Sequence, residues 1–138
     1  QSKLINYFRS DITKQNIEKD LNDLLKKIKK DKKYYISTKD IILIESLKSD
    51  GVQVLKKYED LYQIDNSNMP IDIQFLIDNK EAGLVLLRLV EVIGQDEIDE
   101  LGPETLYFII SALNQLDIDP LRNKLLLKTL PLKVKKYN

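Results

Sequence analysis

Histidine and cysteine, the side chains that most often act as neutral-pH bases, nucleophiles and metal ligands, are both absent from this sequence. Their absence removes imidazole and thiolate metal sites, disulfides, and every nucleophile that depends on a neighbouring imidazole. What remains is 22 carboxylates, 22 lysines and arginines, and seven tyrosines. We therefore predict no catalytic, metal-binding or cofactor-binding residues. We favour a binding domain over an enzyme.

Carboxylates are the remaining candidates for chemistry. The acidic run Asp96, Glu97, Asp99 and Glu100 offers oxygen ligands for Ca²⁺ or Mg²⁺, but it lacks the glycine turn and the final glutamate of an EF-hand loop. No context singles out two carboxylates for glycoside hydrolysis, and the four glycines are not clustered as in a phosphate-binding loop. One alternative therefore stays open: a helical subdomain of an enzyme whose other residues lie outside this fragment.

A second alternative comes from a basic run that precedes two tyrosines, Tyr34 and Tyr35. Six lysines lie within eight residues, at Lys26, Lys27, Lys29, Lys30, Lys32 and Lys33. Lysines neutralise phosphates and tyrosines stack on bases, so the run is a candidate site for nucleic acid or an anionic membrane. A formal net charge of zero and the lack of arginine in the run favour an ordinary solvated helix end.

Arg88 is a candidate for contact with a protein partner, because it stands in an otherwise apolar segment. It lies three residues before Glu91, so the two either pair at the rim of a helix or leave Arg88 to bind an acidic group. Aromatic residues and arginine are enriched where protein partners bind most tightly. We therefore add Tyr58, Tyr62 and Tyr107 to Arg88 as possible partner-binding residues.

The elements that must position these residues are helices, because apolar residues recur at helical spacing and alternate with period two only in short fragments. A register slip near Ser10 and Asp11 predicts a break, with one of these two residues capping the second helix. Ser37 and Asp40 form a capping box that starts another helix, which should end at Gly51.

The most apolar stretch runs from Glu81 to Leu116 as two segments joined by an acidic connector. The first segment has one apolar face around Leu89 and a second one that holds Leu84, Leu87 and Val90. Two apolar faces predict a helix that is covered on both sides, the middle layer of a stack. The longest apolar run, Ala82 to Gly94, is interrupted by Arg88 and Glu91 and is shorter than the roughly 20 residues of a membrane span, so we predict no transmembrane segment.

Two proline-headed segments lie 33 residues apart, Pro70-x-x-x-x-Phe75-Leu76-Ile77 and Pro103-x-x-x-x-Phe108-Ile109-Ile110. Residues 70–130 thereby resemble the helical hairpins of tetratricopeptide and HEAT repeats. The resemblance implies stacked antiparallel helices. The tetratricopeptide pattern of Trp, Leu, Gly and Tyr is missing, since the chain has no Trp. An irregular helical bundle fits the sequence equally well.

These observations predict one all-α domain over residues 1–138, with six to eight helices in an antiparallel bundle or a short repeat stack, and residues 1–35 as a semi-independent helical arm. The chain begins at Gln1 and has the Lys-, Ile- and Asn-rich composition of AT-rich coding, so we interpret it as part of a longer bacterial protein. A cleaved signal or an upstream domain stays open. The function predicted first is a non-enzymatic protein–protein interaction or scaffold domain.

Overall fold

The computed structural model describes residues 2–9, 12–31, 33, 36–62, 69–94 and 97–130. Across these residues the chain forms seven α-helices and three 3-10 segments, and they include no strand. The α-helices are α1 (Ser2–Ile5), α2 (Lys14–Lys30), α3 (Thr38–Ser49), α4 (Ile71–Asp78), α5 (Ala82–Ile93), α6 (Pro103–Gln115) and α7 (Asp119–Thr129). The 3-10 segments are Asn6–Arg9, Lys56–Leu61 and Ile98–Glu100. The all-α prediction with six to eight helices is confirmed.

The break between the first two helices is present, but its cap is not the predicted one. Thr13 is the N-cap of α2, and its hydroxyl oxygen accepts a hydrogen bond from the backbone N–H of Asn16 at 3.4 Å. The predicted caps, Ser10 and Asp11, lie outside the described residues. α2 ends among lysines, whose positive charge suits the negative end of a helix dipole.

α3 begins and ends as its sequence predicts. The Ser37 hydroxyl accepts from the Asp40 backbone N–H at 3.2 Å, and the Asp40 carboxylate accepts from the Ser37 backbone N–H at 3.1 Å. At the other end Gly51 has a φ of 96°, which glycine adopts without the steric cost of a Cβ. The N–H of Val52 donates back to the Leu47 carbonyl at 3.0 Å, which completes a Schellman motif.

Replacing Ser37 with alanine is expected to lower the free energy of unfolding by about 1 kcal/mol, because the Asp40 N–H then loses its acceptor. Urea denaturation measures the change. Ser49→Ala, in the last turn of the same helix, is the matched control and should leave the midpoint unchanged. Equal midpoints for wild type and Ser37→Ala would show that the capping box does not stabilise α3.

The second half of the chain consists of two helical hairpins, α4–α5 and α6–α7. Each turn contains a non-glycine residue of positive φ, Lys80 at 58° and Asp117 at 56°. The turns share one hydrogen-bond pattern, because Glu81 N–H donates to the Leu76 carbonyl and Ile118 N–H to the Leu113 carbonyl, both at 2.9 Å. The turns are 37 residues apart, not 33, because α6 is longer than α4. Proline spacing therefore does not match turn spacing.

α6 is the central helix of the bundle. It packs against α3, α4 and α7, and six of its residues are buried: Leu106, Phe108, Ile109, Ile110, Ala112 and Leu113. These residues belong to one hydrophobic core that also contains Leu4, Phe8, Ile17 and Leu21 of the N-terminal segment. Independent folding of residues 1–35 stays a prediction.

α5 does not form the middle layer that its two apolar faces predict. It packs chiefly against α4, and its buried residues are Val85 and Leu89. The second face, with Leu84, Leu87 and Val90, is exposed. Of the two helices predicted to be buried, only α6 is therefore buried on several sides. α5 therefore has one apolar face in the core and a second apolar face on the surface.

Arg122 of α7 is fully buried, at 0% exposure, and holds several elements together. Its Nη1 and Nη2 atoms lie 2.8 and 2.9 Å from the two carboxylate oxygens of Asp50, just after α3. Nη1 also donates to the Asn114 side-chain oxygen at 3.0 Å and to the Ser46 carbonyl at 3.4 Å. The guanidinium lies 5.3 Å from the ring centre of Phe8. One side chain thereby joins the N-terminal segment, α3, α6 and α7.

Candidate partner-binding surface

Large hydrophobic side chains are exposed together on the α4–α5 hairpin. Five of the seven in the described residues belong to it: Ile71 (88% exposed), Phe75 (65%), Leu84 (48%), Leu87 (62%) and Val90 (66%). We call these five residues the α4–α5 outer face. On each helix they lie on the side away from the buried residues, which are Ile73 and Ile77 on α4, and Val85 and Leu89 on α5.

An ion pair at the rim of this face links the two helices. Arg88 Nε and Nη2 each lie 2.8 Å from Asp72 Oδ2, so residue 88 of α5 stands opposite residue 72 of α4. The helices are antiparallel and rise equally per residue, so Phe75 lies about level with residue 85 along the hairpin. The exposed groups of both helices thus lie on the outward sides of one hairpin.

The charges around the α4–α5 outer face are mostly negative. Between residues 71 and 94 the chain has four carboxylates and two cations: Asp72, Asp78, Glu81, Glu91, Lys80 and Arg88. Arg88 is held by Asp72 and lies 3.6 Å from a Glu91 oxygen. Hydrogen bonding to Asp72 and the charges of both carboxylates raise the pKa of Arg88. The predicted Arg88–Glu91 rim pair is present, whereas the closer pair with Asp72 joins two helices and has no local signal in the sequence.

The four predicted partner-binding residues do not lie together. Arg88 belongs to the rim of the α4–α5 outer face, whereas Tyr58 and Tyr62 are buried, at 4% and 8% exposure. Tyr107 is half-buried on α6 and lines a cleft on another side of the molecule. Partner binding by these residues stays a prediction, and only Arg88 adjoins an exposed apolar surface.

The cleft lined by Tyr107 lies between α3 and α6 and has a volume of about 410 Å³. Its wall contains Glu45 and Lys48, whose charged atoms are 3.6 Å apart. Burial raises the pKa of Glu45, while the ammonium of Lys48 acts in the opposite direction. Burial lowers the pKa of Lys48, but Glu45 and Tyr62 outweigh it and raise that pKa overall.

The amide groups of this cleft are already engaged within the protein. Asn114 donates to the Ser46 hydroxyl at 3.3 Å and accepts from Arg122. Gln115 donates to the Ser111 hydroxyl at 3.2 Å and accepts from Gln74 at 3.0 Å. These two amide groups therefore link α6 to α3 and to α4.

The lysine run forms an exposed end of α2, with Lys26, Lys27, Lys29, Lys30 and Lys33 at the surface. The structure adds Lys56 and Lys57, because the segment that contains them packs against α2. Lys29 Nζ donates to the Lys57 carbonyl at 3.2 Å, and both ammonium groups lie within 6 Å of the Tyr58 ring centre, at 5.8 and 5.3 Å. Lys32, Tyr34 and Tyr35 lie outside the described residues.

Metal-binding and membrane-spanning features are both lacking in the part of the chain that the structure describes. Within those residues, no group of three or more acidic side chains is placed to hold a metal ion. Of the acidic run considered for Ca²⁺ or Mg²⁺, Glu97 precedes a 3-10 segment and Glu100 ends it, while Asp96 lies outside the described residues. No described helix is long and apolar enough to cross a bilayer.

Comparison of the chain with protein-family models, curated proteins and solved structures finds no match. We therefore infer function from the geometry of this molecule. The surface that sequence reasoning missed is the α4–α5 outer face. Its signal was present in the second apolar stripe of α5, Leu84, Leu87 and Val90, which is equally typical of a helix buried on two sides and of a helix that binds another protein.

Proposed function

We propose that this chain is a protein-interaction domain that binds a protein partner through the α4–α5 outer face. The observation that carries the proposal is the exposure of five large apolar side chains on one hairpin. Scattered exposed hydrophobic residues are normal on soluble proteins, whereas a contiguous group rimmed by charges is typical of a binding surface. The rest of the bundle serves as the scaffold that presents this hairpin.

Burial of this face contributes favourable free energy to binding. Full burial of a Leu, Ile, Val or Phe side chain stabilises by about 1.5–3 kcal/mol, and each side chain here keeps about half or more of its surface exposed. Covering most of the remaining area therefore contributes several kcal/mol before the costs of association. Phe75 and Arg88 add an aromatic ring and a guanidinium, two groups that are enriched at the centres of interfaces.

The hairpin is also held in shape before any partner arrives. The Schellman turn at Lys80 fixes the connection between α4 and α5, and the Arg88–Asp72 pair bridges the two helices at 2.8 Å. Ile73, Ile77, Val85 and Leu89 anchor them in the core. A rigid surface loses less conformational entropy on binding than a mobile one.

Affinity capture from an extract of the source cells tests the proposal with three baits. Wild type and Leu55→Gln should retain the same polypeptides, because Leu55 is about as exposed (51%) as Leu84 but lies outside the face. The double variant Phe75→Ser with Leu87→Gln should lose them. Retention of an identical set by all three baits, or of nothing by wild type, would contradict binding through the α4–α5 outer face.

The lysine-rich end of α2 favours a second candidate function, the binding of nucleic acid or an anionic membrane. The supporting observation is that Lys56 and Lys57 extend the exposed lysines of α2 into a larger basic patch. This proposal predicts association with a single-stranded oligonucleotide or with phosphatidylserine vesicles that weakens steeply as salt rises.

Substitution of Lys26, Lys27, Lys29 and Lys30 by glutamine tests this second candidate. If the patch binds phosphates, the variant should lose most of the oligonucleotide or vesicle binding measured at low salt. Lys124→Gln with Lys128→Gln, which removes two exposed cations from α7, is the control and should bind like wild type. Binding that is absent, or that does not depend on salt, rules the candidate out.

A further inference from the structure

We infer that the partner presents an amphipathic helix whose apolar face is bordered by lysine or arginine. The inference rests on the proposed function and specifies the chemistry of the occupant of the α4–α5 outer face. Two features of the hairpin carry it, namely the arrangement of its exposed apolar groups and the sign of the charges around them.

The apolar groups form rows of the kind that helices use to pack against each other. Ile71 and Phe75 are four residues apart on α4, and Leu84 and Leu87 are three apart on α5. Spacings of three and four place the members of each pair one above the other on the same side of a helix. Such rows are apolar ridges, against which the side chains of one face of a third helix can pack.

The charges select among the possible occupants. The hairpin has two more carboxylates than cations, although the whole chain has a formal net charge of zero. Arg88 is already engaged by Asp72 and Glu91. The hairpin as a whole therefore keeps a net negative charge. A basic border on the partner is attracted to this hairpin, whereas an acidic one is repelled.

The same charges disfavour two other occupants. A second copy of this chain bound face to face would set one net negative hairpin against another. An anionic membrane carries charge of the same sign as the hairpin. A helix with a basic border meets neither obstacle, so we assign it as the occupant.

Two model peptides of about 18 residues, or five helical turns, test the inference. Both have leucines at helical spacing on one face. All remaining positions are lysine in one peptide and glutamate in the other. NMR titration of the ¹⁵N-labelled protein measures their affinities and maps their sites. The lysine peptide should shift the amides of α4 and α5 and bind at least about tenfold more tightly than the glutamate peptide. Added salt should reduce the difference in affinity between the two peptides.

Variants separate the apolar contribution from the charged one. Phe75→Ser with Leu87→Gln should abolish binding of the lysine peptide, and Leu55→Gln should not. Asp78→Lys with Glu81→Lys should remove most of the preference for the lysine peptide, while Asp23→Lys, an exposed site on α2, should preserve it.

Each contrary result overturns a distinct statement. Equal or tighter binding of the glutamate peptide at α4 and α5 overturns the basic partner and leaves the proposed face intact. A lysine peptide that binds elsewhere, or fails to bind, also overturns the inference, while the capture experiment decides the proposed function separately. If the protein alone sediments as a dimer that Leu87→Gln dissociates, the occupant is a second copy and our assignment is wrong.

Discussion

Replacing Arg122 with methionine is expected to lower the free energy of unfolding by about 3 kcal/mol. The substitution keeps much of the apolar stem but removes both hydrogen bonds to Asp50, at 2.8 and 2.9 Å. Breaking a buried pair on one side costs about 3–5 kcal/mol, because the other charge is left without its partner. The low end of that range applies here, since the Asp50 side chain keeps 15% of its surface exposed.

The loss should be specific to the buried arginine. Arg88→Met removes an ion pair at the surface, where such pairs contribute little, and should not shift the urea midpoint measurably. Asp50→Asn should destabilise by an amount similar to Arg122→Met. The double variant should be less destabilised than the sum of the two single variants, which is the signature of direct coupling. Additive losses would show that Arg122 and Asp50 do not stabilise the bundle as a pair.

Replacing Leu113 of α6 with alanine is expected to lower the free energy of unfolding by about 2–5 kcal/mol, the range for truncation of a buried leucine that leaves a cavity. Leu113 is 0% exposed and lies in the helix that packs against α3, α4 and α7. The same change at Leu87 of α5 should alter stability by no more than about 0.5 kcal/mol, as is usual for surface positions. Urea denaturation of the two variants compares the loss of stability at the central helix α6 with the loss at α5.

This pair of substitutions distinguishes the observed fold from the one that the apolar pattern predicts. If α5 were a middle layer, both variants would lose several kcal/mol. If α6 alone is central, only Leu113→Ala does. A large loss for Leu87→Ala would mean that the outer side of α5 is covered in the folded protein, which contradicts both the fold and the binding surface described above.

Local signals in the sequence were sufficient where a few neighbouring residues decide the structure. The Ser37–Asp40 capping box and the Gly51 stop are short-range features, and both are present as predicted. Burial of Leu106, Ile109 and Leu113 also follows from helical spacing alone. These features require no knowledge of which helix packs against which.

Features that depend on distant partners could not be predicted in this way. Arg122 looks like a surface residue in a polar part of α7 until Asp50, 72 residues earlier, is brought beside it. Leu121 is 40% exposed whereas Leu125 and Leu126 are buried, because only the tertiary arrangement decides which side of α7 faces the core.

The candidate site was accessible to sequence reasoning only in part. Arg88 was selected because it interrupts an apolar segment, and it adjoins the exposed surface. Tyr58 and Tyr62 were selected as aromatic residues, and the core buries both of them. Leu84, Leu87 and Val90 were noticed but interpreted as buried, because an apolar stripe has the same pattern whether it is covered by this chain or by another protein.

Site-specific photo-cross-linking tests the central claim most directly. A photoreactive p-benzoylphenylalanine is placed at Phe75 or Leu87, within the α4–α5 outer face, or at Leu55 or Leu121, two exposed leucines outside it. In the source cells the first two positions should form a covalent adduct with a partner protein, and the last two should not. Adducts at Leu55 and Leu121 alone, at all four positions equally, or at none of them would contradict partner binding through this face.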